Sequence, residues 1–398
     1  MLKNKQIILG VSGGIAAYKS VELLRLLTKA GADVHVIMTR SAQEFVTPLT
    51  FQALSSNAVH TELFNLLSEQ KIGHISLADR ADLFIVAPAT ANVIGKIAGG
   101  IADDMLTTTI MATKAPVLFA PAMNVNMYKN QIYQENEQKL RRYGYLFEAP
   151  VSGSLACGWE GEGKLASPEA IFESALAALT KKDLTGRKIL ITAGPTREEI
   201  DPVRYISNHS SGKMGYALAR CARMRGAQVI LVSGPTSLMK PAGVTLVEVT
   251  SAMDMQREVM AQVAECDVII KAAAVADYRP SKRSSSKIKK DVDCTAIELV
   301  KNPDILATLG NMDRRPFLVG FAAETNSLKK NASKKLAEKN LDMIVANDVS
   351  QIDAGFNVDN NRAMIFFKDG RNVECPLMPK KRLADVILGY IAVELLEG

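Results

Sequence analysis

The same opening motif occurs twice in this chain. Near the N-terminus, the apolar run at residues 5–10 enters a glycine turn at residues 11–14, and an amphipathic helical pattern follows. A second apolar run, at residues 188–193, enters a turn at Gly194-Pro195 in the same way. A buried strand followed by a glycine turn and a helix is typical of the start of a doubly wound α/β domain. The repetition predicts an α/β protein with two Rossmann-like domains.

A polar stretch at residues 181–186 separates the two repeats. A helical pattern over residues 170–179 ends just before this stretch, and the second strand begins just after it. At 398 residues the chain is too long for one ordinary hydrophobic core and fits two domains. We therefore predict domains at residues 1–186 and 187–398.

The composition, with 47% apolar residues, is that of a soluble globular protein. No apolar run approaches the roughly 20 residues needed to span a bilayer, and the N-terminus lacks the apolar region of a signal peptide. We therefore expect a cytoplasmic protein without a membrane partner. The five cysteines are scattered without a CxxC pair, which argues against a disulfide framework and a cysteine zinc site. The net charge of +6 is mild for this size and favours small anions at least as much as nucleic acid, and no nucleic-acid-binding motif accompanies it.

Residues 10–14 form the first candidate site, because backbone N–H groups and the Ser12 hydroxyl lie where a helix N-terminus stabilises a phosphate. The loop lacks GxGxxG, and Thr39, Arg40 and Ser41 stand where a dinucleotide-binding strand would end in an acid. This pattern favours a mononucleotide and disfavours an NAD dehydrogenase. A purely structural glycine turn is the alternative. The loop also matches GxSxG, but it follows the first strand with no oxyanion loop before it, which argues against a hydrolase.

Further candidates lie downstream in the first half. His74 precedes a buried strand and is either a catalyst or an ordinary surface or core histidine. Small polar residues at 88–92 follow that strand, at the edge where ligands bind in such sheets. Asn124 follows the next strand, where its amide would bind a carboxylate or form a turn. Cys157 lies in a glycine-rich segment, residues 151–164, which we interpret as a mobile lid with a reactive thiol.

The order and spacing of four motifs resemble the flavin-dependent cysteine decarboxylases: GVSGGIAA at residues 10–17, His74, PAMNVNMY at residues 121–128, and the Cys157 lid. The family motif PxMNxxMW is matched except that Tyr128 replaces tryptophan, which keeps an aromatic side chain. The resemblance implies a flavodoxin-like domain that binds FMN. The implied FMN contacts are Gly10, Ser12, Gly13, Gly14, Thr39, Ser41, Thr90 and Asn92.

The chemistry of that family explains the need for a flavin. Loss of CO2 from a cysteine carboxylate would leave an unstabilised carbanion. FMN first oxidises the CH2–SH group to a thioaldehyde, which accepts the electrons as an enethiolate, and the flavin later returns the hydride. By resemblance His74 is the base, Asn124 grips the substrate carboxylate and Cys157 supplies a proton. A thiol on a lid suits proton delivery after the pocket has closed.

The second half contains Gly212-Lys213, which is not a P-loop. GxxxxGK needs glycine where Ser207 stands, and Met214 replaces the residue whose hydroxyl would bind magnesium.

A predicted strand at residues 267–271 leads into small residues that let a nucleotide approach the backbone. Asp277 follows, and it would either bind a metal ion or cap a helix. A run predicted to be flexible comes next, with five positive charges between residues 282 and 290. This run is a solvated loop, a nucleic-acid patch or a triphosphate clamp, since like charges at that density need an anion to converge.

Seven segments cover the second half almost end to end and strongly resemble the phosphopantothenate–cysteine ligase domain: AGPTRE, DPVRYISNHSSGKMG, AAVADY, KIKK, KNPDI, GFAAET and ANDVS. The resemblance implies that the carboxylate of 4′-phosphopantothenate attacks the α-phosphate of CTP, which releases pyrophosphate and leaves an acyl-cytidylate. The amine of cysteine then displaces CMP. Because charge builds on the α-phosphate, a lysine and Mg2+ are needed.

The resemblance assigns this lysine to Lys287, with Asn208 holding the acyl intermediate and Asp277 as the metal ligand. The implied CTP contacts are Lys271, Ala272, Ala273, Asp277, Lys287, Pro303, Asp304, Ile305, Leu306, Phe321, Lys335 and Lys339. The segment at residues 207–215 is expected near a dimer interface. The loop at residues 280–286 shares little with the family.

The whole chain thus resembles the bacterial bifunctional ligase/decarboxylases of coenzyme A biosynthesis. The C-terminal half would act first and make 4′-phosphopantothenoylcysteine, which the N-terminal half would convert to 4′-phosphopantetheine. Family members build the decarboxylase site between subunits of a trimer, and a trimeric half joined to a dimeric half closes into a dodecamer by symmetry. The alternative is a flavin-bound regulatory subunit without decarboxylase activity, against which Cys157 and the intact ligase motifs argue.

Overall fold

The computed structural model describes residues 2–63, 73–154, 160–289, 296–324, 328–348 and 358–397. The chain divides into two compact units, Met1–Thr180 and Lys181–Gly398. The predicted division lies slightly later, after residue 186. Both carboxylate oxygens of Asp183 accept N–H groups of Arg225, at 2.8 and 2.7 Å, and Leu184 is fully buried among apolar residues of the second unit. These contacts place the polar stretch with the second unit.

The described part of the first unit alternates strands and helices. Its strands are β1 (Gln6–Val11), β2 (Asp33–Met38), β3 (Val59–His60), β4 (Leu83–Ala89), β5 (Val117–Pro121), β6 (Leu146–Phe147), β7 (Val151–Ser154) and β8 (Glu160–Lys164). Its helices are α1 (Ala17–Lys29), α2 (Pro48–Ser55), α3 (Gly73–Arg80), α4 (Ala91–Gly99), α5 (Met105–Ala112), α6 (Val125–Tyr128), α7 (Gln131–Arg142) and α8 (Pro168–Leu179), and a 3-10 turn covers Arg40–Ala42.

Six of these strands form a parallel sheet in the order β3-β2-β1-β4-β5-β6. This is the doubly wound order, and without the two-residue β3 it becomes the flavodoxin-like order 2-1-3-4-5. Every residue of β4 is buried, as expected for a central parallel strand covered on both faces. The predicted fold class of the first domain is confirmed.

The second unit repeats the plan. Its described strands are β9 (Lys188–Ala193), β10 (Arg197–Glu199), β11 (Tyr205–Ser207), β12 (Gln228–Ser233), β13 (Thr245–Glu248), β14 (Val268–Lys271), β15 (Tyr278–Pro280), β16 (Leu299–Lys301), β17 (Phe317–Glu324), β18 (Met343–Asp348), β19 (Asn360–Phe367) and β20 (Asn372–Pro379). Its helices are α9 (Lys213–Met224), α10 (Ala252–Gln262), α11 (Ile305–Gly310), α12 (Leu328–Glu338) and α13 (Lys380–Glu397), with a 3-10 turn at Val263–Glu265. None of the helices in the described ranges combines the length and hydrophobicity that a bilayer span requires.

The second sheet has the order β13-β12-β9-β14-β17-β18-β19-β20, and its last two strands are antiparallel. Alternate side chains of β9 bury its two faces. Ile189 and Ile191 pack with α9 and α13, whereas Leu190 packs with α10, α11 and α12. This is the second doubly wound domain that the repeated motif predicts. Strand β20 is not predicted because it contains Pro376 and Pro379, which an edge strand tolerates.

Each of the two large sheets has one point where the strand order reverses. In the first sheet the reversal lies between β1 and β4, and in the second between β9 and β14. Ligands of such sheets bind outside the carboxyl ends of the strands at this point. Residues 12–14 and 90–92 follow the first pair of strands, and residues 194–196 and 272–276 follow the second pair.

Candidate active sites

Ser12 ties together the two central strands of the first sheet. Its side chain is buried, and its Oγ donates to the Pro88 carbonyl at 2.7 Å and accepts from the Thr90 N–H at 3.0 Å. The hydroxyl therefore fixes the loop and is not an exposed nucleophile, which argues further against a hydrolase. Thr90 continues the link, because its Oγ1 caps α4 by accepting from the Val93 N–H at 3.5 Å.

The glycine loop lies against the turn that follows β2. A Cβ atom at Gly13 would lie 2.3 Å from the Cβ of Ser41, so only glycine fits. A Cβ at Gly14 would meet no described atom within 4 Å. Thr39 caps the turn by accepting from the Ala42 N–H at 3.3 Å. Loop and turn form an open cradle before α1, which fits the phosphate of a mononucleotide.

The glycine-rich segment at residues 151–164 is not a loop throughout, which corrects the prediction. Strands β7 and β8 pair as an antiparallel hairpin. The Gly163 carbonyl accepts from the Met123 N–H at 2.9 Å, and a Cβ at Gly163, whose φ is +137°, would lie 2.4 Å from the Met123 carbonyl oxygen. Glycine serves close approach of two backbones here. Cys157, predicted on this segment, lies outside the described residues.

Asn124 begins helix α6 beside this hairpin. Its Oδ1 accepts from the Asn126 N–H at 2.8 Å, so the residue forms the turn that was the alternative to carboxylate binding. The cap uses the acceptor oxygen, whereas a carboxylate is bound by the amide N–H, so the two roles are compatible. The structure brings Asn124 together with the hairpin whose strands bracket Cys157 in the sequence.

His74 lies in the first turn of α3, a helix that the sequence did not predict, and α3 packs on α5. Its Nδ1 is buried and has no hydrogen-bond partner within the described ranges, which omit residues 64–72. Buried polar atoms without a partner are uncommon in folded proteins. A nitrogen in this state suits proton exchange with a bound molecule.

The second reversal point opens into a cavity of about 400 Å3, which is within the size range of small-ligand sites. The cavity is lined by residues 208–215, 271–275 and 321–322, with Asn347, Asn361 and Lys380. It brings together five predicted ligase residues: Asn208, Lys271, Ala272, Ala273 and Phe321. The other predicted ligase residues do not line it, namely Asp277, Lys287, Pro303, Asp304, Ile305, Leu306, Lys335 and Lys339.

Sequence reasoning missed part of this lining. Residues 209–215 were expected only near a dimer interface, yet they line the cavity, where residues 209–212 lead into α9 and residues 213–215 begin it. Their position just before a helix was an available indication, because helix N-termini bind anions. Nothing in the sequence around Lys380 points to the site.

Hydrogen bonds hold the walls of the cavity. The Asn208 amide Nδ2 donates to the Val275 carbonyl at 3.0 Å. The Ala273 N–H donates to the Thr192 hydroxyl at 3.1 Å, so this predicted CTP contact already has a partner for its N–H group.

The cavity is positively charged. Lys213, Lys271 and Lys380 line it, and no carboxylate among the described residues does so, although Asp359 outside the lining pairs with Lys213 at 2.7 Å. Burial, followed by the nearby Lys339, lowers the pKa of Lys271 to about 8, although Asp304 and Asp277 oppose the change. A cavity of this charge attracts polyanions.

Lys339 and Asp304 do not line the cavity, but both act electrostatically on Lys271. Lys339 Nζ lies 2.8 Å from Asp304 Oδ2, and Asp304 caps α11 by accepting from the Ala307 N–H at 3.1 Å. The side chains of Ile305 and Leu306 are buried in the core, so a ligand contact from this segment would come from its backbone. Lys335 lies in the last turn of α12, and Lys339 follows directly after this helix.

The basic run is anchored by hydrogen bonds at Ser284 and Ile288, which corrects the prediction that the described part of it is flexible. The Ser284 N–H donates to the Ile200 carbonyl at 2.9 Å, and the Ile288 N–H donates to Asp201 at 3.2 Å. Lys287 is exposed.

No group of three or more His, Cys, Asp or Glu side chains in the described ranges is placed to hold a metal ion. Asp277 is exposed and acts electrostatically on Lys271. Mg2+ in nucleotide enzymes is bound through one or two carboxylates together with phosphate oxygens and water. A single carboxylate at Asp277 fits that kind of site.

Both halves of the chain match known families. Residues 1–180 match the Flavoprotein family, and residues 184–395 match the DNA/pantothenate metabolism flavoprotein C-terminal domain. The coenzyme A biosynthesis bifunctional protein CoaBC of Bacillus subtilis is 52% identical over 396 residues, which cover 98% of each chain. The protein of that name from Escherichia coli is 49% identical and covers 98% of this chain and 97% of its own. A crystal structure of the C-terminal domain of such a protein is 48% identical, with a TM-score of 0.48, over 55% of this chain and 100% of its own. The chain belongs to the family of coenzyme A biosynthesis bifunctional proteins.

Proposed function

We propose that the chain converts 4′-phosphopantothenate to 4′-phosphopantetheine in two consecutive reactions. The C-terminal unit joins 4′-phosphopantothenate to cysteine at the expense of CTP, and the N-terminal unit decarboxylates the 4′-phosphopantothenoylcysteine that results. The observation that carries this proposal is the full-length match to bifunctional relatives, with both domain families in the same order.

In the ligase reaction, the positively charged cavity holds the CTP triphosphate. Lys271 and the start of α9 neutralise phosphate oxygens, and Asp277 binds the Mg2+ that the triphosphate carries. Lys287 stabilises the charge that develops on the α-phosphate during attack by the substrate carboxylate. Asn208 holds the acyl-cytidylate until the cysteine amine displaces CMP.

In the decarboxylase reaction, FMN is held by the loop at residues 10–14, by Thr39 and Ser41, and by Thr90 and Asn92. The flavin supplies oxidation and later reduction of the carbon that carries the substrate thiol. The Asn124 amide binds the substrate carboxylate, and His74 accepts a proton. Cys157 donates a proton in the reductive step.

The proposed assembly is a homo-oligomer, a dodecamer of decarboxylase trimers and ligase dimers. The decarboxylase trimer and the ligase dimer come from the family resemblance, and closure of twelve chains follows from combining their symmetries. The proposed location is the cytoplasm, where CTP and cysteine are available. Light scattering of the purified protein measures the number of chains directly.

A single reaction mixture tests the proposed function. It contains the purified chain with 4′-phosphopantothenate, cysteine, CTP and Mg2+. We expect 4′-phosphopantetheine, CO2 and CMP, and a yellow protein with the spectrum of FMN. A protein that makes 4′-phosphopantothenoylcysteine but releases no CO2 after reconstitution with FMN would instead support the flavin-bound regulatory subunit.

The pH dependence of CTP binding should report Lys271. Since the free protein has a Lys271 pKa of about 8, the side chain loses its charge as the pH rises above 8. Triphosphate favours the charged form, so binding raises this pKa and takes up a proton. The affinity for CTP should therefore fall above pH 8, by up to about tenfold per pH unit. Calorimetry between pH 7 and 9.5 measures both the affinity and the proton uptake.

Two substitutions test whether Lys271 causes this pH dependence. Lys271→Met should weaken CTP binding at pH 7 and flatten its pH dependence above pH 8. Lys240→Met, which removes an exposed lysine that does not line the cavity, should leave both unchanged. If the pH dependence persists in Lys271→Met, another group titrates in this range.

Replacing Gly163 by alanine should damage decarboxylation alone. The added Cβ would lie 2.4 Å from the Met123 carbonyl oxygen, so the hairpin must move away from Asn124. A displacement of about 1 Å at a reacting group costs about 100-fold in rate. Decarboxylation of supplied 4′-phosphopantothenoylcysteine should fall by this order, with CMP release unchanged. Gly95→Ala on α4, whose added Cβ would come no closer than 3.9 Å to another residue, serves as the control.

A further inference from the structure

A second cavity lies in the C-terminal unit, between the start of α12 and strands β18, β19 and β20. Its volume is about 530 Å3, which is within the size range of small-ligand sites. Its described lining shares no residue with the positively charged cavity at the second reversal point, which we call the ligase cavity. The two proposed reactions therefore give this second cavity no role.

The floor of the second cavity is a row of side chains that crosses three strands. Ala346 on β18 pairs with Met364 on β19, and Met364 pairs with Glu374 on β20, in antiparallel register. Residues directly opposite each other in an antiparallel sheet place their side chains on the same face, and successive residues alternate between faces. Asn347, the residue after Ala346, lines the ligase cavity. The two cavities therefore lie on opposite faces of one sheet.

Three cationic side chains line the second cavity. Lys329 and Lys330 belong to the first turn of α12, and Arg362 belongs to β19. The first turn of a helix carries a partial positive charge, so lysines there are unfavourable unless an anion is close. Like charges around one cavity also repel one another without a counterion. The arrangement of the three cations therefore favours an anionic ligand.

Arg362 gives an independent indication of a ligand. Its Nε is buried and has no hydrogen-bond partner within the described ranges. Such a donor is normally satisfied, because a charged group that loses water without gaining a partner is destabilising. The planar guanidinium group binds phosphate oxygens through parallel N–H groups. A phosphate group in the cavity would supply the acceptor that Nε lacks.

The rest of the described lining limits the kind of anion. Glu374 is exposed and is the one carboxylate among these residues, so three cations face one anion and leave a net charge of +2. The other described lining residues are apolar: Leu328, Ala346, Ala363 and Met364. A ligand that fills this cavity would combine an anionic group with an apolar part.

We infer that the second cavity binds a small organic molecule that carries a phosphate group. The phosphate lies between Arg362 and the two lysines of α12, and the apolar part lies against Met364. Because the ligase cavity is on the opposite face of the sheet, both cavities hold their ligands at the same time.

Calorimetry with phenyl phosphate tests this inference, because this probe joins a phosphate group to an apolar ring. The full chain, loaded with FMN and saturated with CTP and Mg2+, should bind one phenyl phosphate per chain. Inorganic phosphate, which lacks the apolar part, should bind more weakly. Displacement of phenyl phosphate by CTP, or no binding at millimolar concentration, would overturn the inference. Equal affinity for inorganic phosphate would overturn the organic nature of the ligand.

Substitutions with opposite expected effects locate the probe. Arg362→Met should weaken binding of phenyl phosphate by at least about tenfold, because a charge-assisted hydrogen bond is lost. Lys330→Met should also weaken it, and this exposed position does not endanger the fold. Glu374→Gln should strengthen binding by up to about fivefold, since it removes a repelling charge.

Lys334→Met is the matched control for these variants. Lys334 is an exposed lysine of the same helix, pairs with Glu338 at 3.7 Å and does not line the cavity. Its substitution should leave the affinity for phenyl phosphate unchanged. If Arg362→Met and Lys330→Met bind the probe as tightly as the unchanged chain does, the phosphate lies elsewhere and the inference is wrong.

Discussion

Replacing Lys287 by glutamine should slow the release of CMP from CTP by about 10³-fold while decarboxylation continues at its normal rate. Glutamine keeps much of the length and polarity of lysine but has no charge to place beside the α-phosphate. Because the lysine acts on charge that exists only in the transition state, the loss should fall mainly on kcat. The measurement is CMP release with saturating CTP, next to decarboxylation of supplied 4′-phosphopantothenoylcysteine.

Lys282→Gln is the matched control for this experiment. Lys282 is exposed on the same basic run and has no proposed role in the reaction. Its substitution should change CMP release by less than about threefold, as for an ordinary surface position. If both variants are equally slow, the run acts through its summed charge and not through one placed lysine. Equal damage to ligation and decarboxylation would show that the two sites are not separate.

The doubly wound architecture was predictable because each part of the repeated motif has a direct physical reason. The apolar residues of β1, β4, β9 and β14 bury both faces of central strands, and the glycine turns follow where helices begin. The strands that escaped prediction are of another kind. β20 contains two prolines, and β7 and β8 consist largely of glycine and polar residues. β7 and β8 pair with each other, and the contact that places this hairpin is made with Met123, earlier in the chain.

Site residues whose side-chain chemistry is visible in the sequence were predicted. Site residues whose role depends on contacts in the folded chain were predicted less well. Lys271 and Asn208 meet in one cavity, as a shared reversal point requires. The basic run looked flexible because its charges repel one another. The contact that holds it involves Asp201, far earlier in the chain, and composition does not reveal such a pairing.

The glycine-rich segment was also predicted to be mobile. Gly163 and its neighbours indicated a mobile lid, because glycine permits a flexible backbone, but it equally permits another backbone to approach closely. The structure shows close approach at Met123, so the described part of the hairpin is a packed support. The prediction of a mobile lid is therefore wrong for the described residues of this segment, and Cys157 lies outside them.

Replacing Cys157 by serine should slow the formation of 4′-phosphopantetheine by about 10³-fold, within the range that a general acid contributes. A thiol of ordinary pKa near 8.5 gives up its proton far more readily than a serine hydroxyl. The oxidative half of the reaction does not need this proton. CO2 should therefore still leave once per bound flavin, while one equivalent of an oxidised form of the product remains and the protein loses its yellow colour. Product mass, CO2 release and the visible spectrum of one sample test all three expectations.

Cys221→Ser is the control because it makes the same chemical change at a thiol with no proposed role. Burial, followed by the nearby Asp385, raises the pKa of Cys221 to about 12, so this thiol is a poor proton donor near neutral pH. The Cys221→Ser variant should decarboxylate normally, and both serine variants should release CMP at the normal rate. If Cys157→Ser also turns over normally, another group must supply the proton. His74 would then be tested next, because its buried Nδ1 has no partner among the described residues.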